Sequence, residues 1–431
     1  MPINKKKIDN IFIIFLISHL FIWTLVPSIT NQNLPLDTIE ALAWGSNLDW
    51  GFNKHPPMSA VLVEIFYQIF GANDWAYYLL SQLCVVFSFF IIWKLSKDFF
   101  DDNILSLLSV LLLEGIYFFN YTTPEFNVYV TELPFWSLSI FFCWKALRTN
   151  FVRHWILFGS FAAFGVLSHY LFFYLLLSLS LLFLNYLIKK ETNFKLFISL
   201  IPFIIILLPH FLWLIENDFV TVFYGLHRTG GNEKIILDHI SHPLIFIGKQ
   251  AGILIPFFLM ISFLVKKFKV NFYLKDDKML FLIVISFLPI ALVFLTSLIM
   301  GVKIRTMWMT PFYLFFGITA IYILKSQINL DKLKKFNITF LILFFLSPAT
   351  YAFVSISQTD KRTDYPGKEE AQKAKNFYSN QTKVMGDLSF VKGNEWDAGN
   401  ISYHLEVRPK WIYNPGSIFL CNKNLECIKY K

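Results

Sequence analysis

Charge is scarce in this chain. Asp, Glu, Lys and Arg make up 16% of its 431 residues, against roughly 25% in a soluble protein. Hydrophobic residues reach 56%, aromatics 19%, and mean hydropathy is +0.54. A soluble fold cannot hide that much apolar surface, whereas lipid can. The chain also lacks a glycine-rich phosphate loop after a strand, which argues against a transport ATPase. It has no HExxH or CxxC motif, and His55, His169, His210, His227, His239 and His242 are scattered without metal-ligand spacing. A divalent cation held by acidic loop residues stays open as a cofactor, and no other cofactor is indicated. No internal repeat is visible, so the inverted-repeat logic of secondary transporters finds no support. Cysteine is limited to four residues. Cys84 and Cys143 fall in apolar runs and suit packing. Cys421 and Cys427 lie in the tail, where either a small disulfide or two free thiols fit.

The net charge of +9 would suit nucleic acid, but its placement excludes that partner, because the positive residues sit in short loops between apolar runs. A bilayer core of roughly 30 Å needs about 20 apolar residues in a helix. The stretches Ile11 to Ile29, Ala76 to Trp93, Ile104 to Phe119, Val128 to Trp144, Leu196 to Ile215, Leu244 to Val265, Met279 to Met300, Met307 to Leu324 and Phe336 to Val354 qualify. Trp155 to Ile188 is too long for one span and splits near His169. The expectation is a mainly α, polytopic membrane protein with about 11 transmembrane helices. The first span has no small-residue cleavage site after it, so it is expected to be retained.

Lys5, Lys6 and Lys7 precede the first span and place the N-terminus in the cytosol. Alternation then collects Lys94, Lys97, Arg148, Arg153, Lys189, Lys190, Lys195 and the lysines of 266–278 and 325–335 on the same side. That side holds about 20 Lys and Arg against about six opposite, in keeping with the positive-inside rule. The division expected is a transmembrane domain, 1–354, followed by a small extracytoplasmic C-terminal domain, 355–431. In this tail Thr363 to Phe377 suits a helix, and Val384 to Val391 and Ile401 to Leu405 suit short strands. About 75 residues is small for an independent core, so the tail is expected to pack on the membrane domain.

The unusual sequence lies on the outer side. The first outer loop, Thr30 to Trp75, holds an amphipathic stretch, Met58 to Phe70, with a lone Glu64. Ahead of it stand Asp37-Thr38-Ile39-Glu40 and Asn53-Lys54-His55-Pro56-Pro57. Asp37 and Glu40 share one face if a helix starts there, although Asp37 also suits an N-cap. Group transfer from a phosphate needs a carboxylate to take the attacking hydroxyl's proton. It also needs cations around the departing phosphate. Asp37 and Glu40 are the candidate catalytic residues. Lys54, His55, His169, Arg228, Lys303 and Arg305 are the candidate phosphate or substrate ligands. Carboxylates in or beside spans are costly and mark function, so Glu125, Asn127 and Glu132 compete for a second acidic site. Glu114 is a further candidate for that acidic group, and structural readings stand beside each of these: headgroup-facing lysines and arginines, and internal pairing for each carboxylate.

Together these segments resemble a family. Asp37 to Glu40 with Lys54 to Pro57 is similar to the first outer-loop signature of bacterial membrane glycosyltransferases related to the protein O-mannosyltransferases, a family-39-like group. Pro209 to Phe219 with Tyr224 and Arg228, then Met307 to Pro311, resemble later blocks. Asp364 to Gly367 and Ala398 to Tyr403 resemble the family's small extracytoplasmic end. The resemblance implies the C-type glycosyltransferase fold with its active site in outer loops. It implies a polyprenyl-phosphate sugar donor and inversion at the anomeric carbon. Carried over by position, Asp37 would be the catalytic acid of the first loop, and Lys54 and His55 would lie near the donor phosphate. Relatives decorate lipid A or lipopolysaccharide core with aminoarabinose, galactosamine or galacturonic acid. The partners implied are therefore a lipid A, lipopolysaccharide or protein acceptor and membrane lipid, at the periplasmic face of a bacterial inner membrane. A transporter or flippase of a lipid-linked substrate is the alternative, and predicts charges and broken helices near the midplane. A non-catalytic scaffold is a third reading.

Overall fold

The computed structural model describes residues 5–189, 194–230, 235–269, 273, 275–381 and 387–431. The apolar stretches expected to span are largely helical, some continuous and some broken. Lys5–Thr30, Asp74–Ser96, Phe194–Glu216, Asp277–Met300 and Leu330–Ser357 are long and apolar enough to cross a membrane. Two bent pairs bring the number to seven: Asp238–Ile253 with Ile255–Ser262, at 45°, and Thr306–Tyr313 with Phe316–Gln327, at 54°. Pro256 opens the second half of the first pair and Pro311 sits in the 3-10 turn of the second. In both places a missing N–H donor spoils the helical ladder. Val152–Ser168 and Phe172–Ile188 are apolar helices of 17 residues each, joined by the turn at His169. Val128–Thr149 adds a 22-residue helix. Asn103–Leu111 runs on into two short 3-10 turns ending at Phe119. The chain is a multi-pass membrane protein.

Phe89, Trp136, Phe172 and Phe281 centre the bundle core. A second apolar cluster lies at one end, and it belongs to no single segment. Leu34, Ile39 and Trp44 from the first outer loop pack with Val63 of the Met58–Phe70 helix and Tyr77 of the next. The tail adds Ala371, Val391, Ile401 and Leu420 to the same cluster. Glu64, alone on its helix in the sequence, pairs with Arg408 of the tail at 2.6 Å, and the Arg408 guanidinium lies 3.4 Å over Tyr67. Gly399 lets the tail helix Asp397–His404 approach: a Cβ there would meet Cβ of Ala43 and Cγ2 of Ile39 at 3.1 Å. The tail is thereby seated on the helix that carries Asp37 and Glu40.

The tail helix runs from Gly367 to Gln381 and not from Thr363, because Pro366 disfavours helix in the residue before it. A 3-10 turn over Arg362–Asp364 fills the gap. The strand expected over 384–391 is seen as Phe390–Gly393, and its residues 384–386 lie outside the described set. The strand expected at Ile401–Leu405 is instead the end of the Asp397–His404 helix and the residue that follows it. Ile401, Tyr403 and Leu405 alternate like a strand. Ala398, Ile401 and Leu405 also repeat at helical spacing, and all three are buried in the cluster that the tail shares with the first loop. Three further strands, Lys410–Tyr413, Phe419–Cys421 and Cys427–Lys429, complete a four-stranded sheet. Phe390–Gly393 pairs in parallel with Lys410–Tyr413 and antiparallel with Phe419–Cys421, which pairs with the last strand. Cys421 and Cys427 are joined as a disulfide across that last hairpin, and Cys84 and Cys143 are buried free thiols.

Candidate active site

Pro35 fixes the chain immediately ahead of the Leu36–Ser46 helix and occupies its N-cap position, so Asp37 falls in the first turn and is not the cap. The Asp37 backbone N–H donates to Oε1 of Glu125 at 3.1 Å, and the Thr38 hydroxyl donates to the Phe126 carbonyl at 3.1 Å. The helix start is therefore capped from the 120–127 loop, and two carboxylates meet at the positive end of the helix dipole. Glu40, one turn on, accepts from Lys54 Nζ at 2.7 Å. Lys54 is held on its other side by Oε2 of Glu395, at 3.3 Å, and Asn53 donates to Oε1 of the same carboxylate at 2.9 Å.

These groups open on one cavity of about 1310 Å³. Asp37, Glu40, Glu125, Glu395 and Asp397 line it, as do Lys54, Arg228, Arg305 and Arg362, with His55 and His169. The Val220–Arg228 helix reaches it because the chain turns through Asp218 and Phe219, both left-handed at φ 52° and 54°, a conformation non-glycine residues adopt uncommonly. That helix contributes Tyr224 and Arg228, with the guanidinium 5.7 Å over the Tyr224 ring. Arg362 stands 5.9 Å over Trp396 at the tail's edge. Part of the wall is apolar, from Met300, Val302, Ile304 and Met307.

Burial pushes the Asp37 carboxyl above the usual range and the neighbouring Glu125 charge adds to this, while Lys54, Arg228 and Arg362 pull it back. Glu125 is raised for the same first reason, desolvation. Burial raises Glu40 to about 7 even though Lys54 pulls it down. Burial also works against the charge on Lys54, but Glu40 and Glu395 outweigh it and hold the ammonium above its ordinary value. The 2.7 Å contact decides in favour of the ion pair at neutral pH and above. His55 is pushed well down by burial and then by His169, Lys54 and Arg228, so its imidazole is neutral at physiological pH.

Residues 54–213 match the family model described as dolichyl-phosphate-mannose-protein mannosyltransferase. The chain is a membrane glycosyltransferase, and this stretch, less than half of it, carries its likeness to that family. The matched stretch takes in Lys54, His55, Glu125 and His169, but neither Asp37 nor the tail. In three dimensions the transferase is similar to ArnT from Cupriavidus metallidurans bound to undecaprenyl phosphate, with a TM-score of 0.64 and 12% identity over 95% of this chain and 86% of that one. The apo structure of that ArnT gives 0.62 and 12% over 94% and 86%. At this identity the likeness is one of fold, the C-type glycosyltransferase architecture. No curated protein matches the chain in sequence.

Of the residues singled out in the transferase sequence, Asp37, Glu40, Lys54, His55, His169, Arg228, Arg305 and Glu125 share the cavity. Three do not line it. Lys303 is exposed outside the lining, its backbone N–H bonded to the Thr229 carbonyl at 2.9 Å. Asn127 is spent on capping the Val128–Thr149 helix, accepting from the N–H groups of Tyr129 and Val130. Glu132 lies behind His169, wholly buried. The residues that sequence reasoning missed are those of the tail, Arg362, Asn394, Glu395, Trp396 and Asp397. No local motif marks them, and only the docking of the tail brings them in. Among the described residues, no group of three or more His, Cys, Asp and Glu gathers as metal ligands.

Proposed function

We propose that the transferase moves a sugar from a polyprenyl-phosphate donor to a lipid A, lipopolysaccharide core or protein acceptor. The site would face the periplasm, in the inner membrane of a bacterium. One observation carries this reading: a single cavity at the extramembrane end joins a raised carboxylate pair, Asp37 and Glu125, to four cations and an apolar wall. The fold is that of an ArnT whose solved structure is bound to undecaprenyl phosphate.

The acceptor oxygen attacks C1 of the sugar as the C1–O bond to phosphate breaks. Asp37 takes the acceptor's proton. A base is most effective with a pKa near the working pH, and burial with Glu125 moves Asp37 toward it. The electron pair of the broken bond stays on the phosphate, whose growing charge Arg228, Arg305 and Arg362 meet. Lys54 is already shared between two carboxylates, which leaves it one free N–H for the phosphate. Attack from the face opposite the phosphate inverts C1. Lipid-chain carbons of the donor fit the wall of Met300, Val302, Ile304 and Met307.

The deciding measurement compares mass profiles of lipid A, core and glycoproteins in a deletion strain, in the strain restored with the wild-type chain, and in the strain given Asp37→Asn. A hexose, hexosamine, pentosamine or uronate mass that wild type restores and Asp37→Asn does not is the expected result. Equal restoration by both would remove Asp37 from the chemistry.

A further inference from the structure

Glu132 lies one turn into the Val128–Thr149 helix, wholly buried, with neither carboxylate oxygen hydrogen-bonded. A lone buried carboxylate is strongly disfavoured inside a bilayer unless another group shares its charge. Among the described residues one group stands within ion-pair reach. Nδ1 of His169 is 3.8 Å from Glu132 Oε2 and is itself buried without a hydrogen bond. His169 also lines the cavity. A shift of about 1 Å closes a hydrogen bond between them. The two groups can hold one proton in common, as acid and imidazole or as carboxylate and imidazolium. Both forms are neutral overall, which burial tolerates.

What faces His169 indicates the use of that proton. Tyr129, from the helix of Glu132, stands edge-on at 5.0 Å, and the His55 ring lies at 6.0 Å. Across the cavity are Tyr224, Arg228 and Arg305, and Lys54 adjoins His55. No carboxylate except Glu132 reaches this ring within ion-pair distance among the described residues. The surroundings on the cavity side suit an anion.

We propose that Glu132 and His169 form a one-proton pair that holds the donor's phosphate, with His169 Nε2–H donating to a phosphate oxygen and Glu132 positioning the ring and its proton. This rests on the reading that the cavity takes a polyprenyl phosphate. Arrival of the anion draws the shared proton from carboxyl to imidazole, so a positive charge appears beside the phosphate without proton uptake from water. In the transfer step the acceptor oxygen–C1 bond forms, C1–O breaks, and the electron pair remains on phosphate. The acceptor's proton goes to Asp37. The pair's own proton stays on His169 Nδ1, facing Glu132, while Nε2–H keeps its hydrogen bond to the leaving phosphate.

The test is binding of undecaprenyl phosphate to the full chain in nanodiscs between pH 6 and pH 8. Glu132→Gln keeps the shape but removes the stored proton, so His169 must be protonated from solvent. The ratio of variant to wild-type Kd then rises by at least about tenfold across that range. Taking the ratio cancels the titration of Asp37 and Glu40, and a packing role alone gives a flat one. Glu132→Asp restores a flat ratio, and His169→Gln weakens binding at every pH. A flat ratio for a folded Glu132→Gln overturns the pair. If Glu132→Gln does not fold, unchanged binding in His169→Gln overturns it instead. A wild-type chain that fails to bind the lipid defeats the donor reading itself, a separate outcome.

Discussion

The transferase buries acid–base pairs at two depths, and only one set opens onto space. Midway along the first span, His19 meets Glu114 at 2.5 Å, with side chains 0% and 1% exposed. Asn120 donates to the Glu114 carbonyl at 3.0 Å and to its carboxylate at 3.3 Å, and the Ser347 hydroxyl donates to Asn120 at 3.1 Å. This network ties three segments of the bundle together and lines no part of the cavity. The outer set, Asp37 with Glu125 and Lys54 with Glu40 and Glu395, is likewise made of buried or half-buried ionisable groups, but it surrounds about 1310 Å³ of open space. Burial of charge alone therefore does not mark a site. A transporter would need its midplane charges to meet a path, and the sealed pair meets none, which favours the enzyme over the flippase alternative.

The comparison breaks most visibly at Asp37. Asp37→Asn keeps the volume and the helix start but removes the proton acceptor, and turnover should fall by about 10²–10⁴-fold with donor binding and thermal stability near wild type. Loss of stability in parallel with activity would move Asp37 to the structural side of the comparison.

The sealed pair should behave in the opposite way. Glu114→Ala leaves His19 buried without its partner and should cost about 3–5 kcal/mol of stability, read as a lowered Tm in detergent. Replacing both by leucine should recover most of that loss, and transfer by the folded double variant should be close to wild type. A stable double variant that cannot transfer would make the network part of the mechanism and reopen the transport reading.

The two regions also differ in how legible they are. Spans show in the sequence because lipid leaves long apolar runs nowhere else to go, and the first outer loop shows because Asp37, Glu40, Lys54 and His55 crowd into it. What hides is whatever depends on packing. Glu125, Asn127 and Glu132 lie within two helical turns, and nothing in their spacing says which one faces the cavity, which caps a helix and which sits behind a histidine. Glu395 reaches Asn53 across 342 positions, a contact made only when the tail docks through Gly399 and Arg408. The breaks at Pro256 and Pro311 were available as prolines, but not their bend angles.

Acidification sharpens the outer half of the comparison. Asp37 is raised by burial and by Glu125, so its basic form is lost as pH falls through that raised value and not in the ordinary carboxylate range near 4. Turnover should decline already between pH 7.5 and 6, approaching about tenfold per unit below the raised pKa. A turnover profile flat to pH 5 would mean that Asp37 is ionised throughout and that the acceptor gives up its proton elsewhere.

The smallest effect belongs to the tail. Arg362 is exposed at the rim, and the turn that carries it is held by the Lys361–Asp364 pair at 2.9 Å. Rim charges in high dielectric are worth about 1 kcal/mol or less. Arg362→Ala should therefore raise the donor KM only a few-fold, leave kcat unchanged, and lose most of its effect at high salt. Glu395, buried against Lys54, should be more sensitive than Arg362 although both come from the same tail, because a buried partner removed leaves its counterion unpaired. If neither substitution alters KM, residues 355–431 only cover the cavity, and the site is complete within the helical domain.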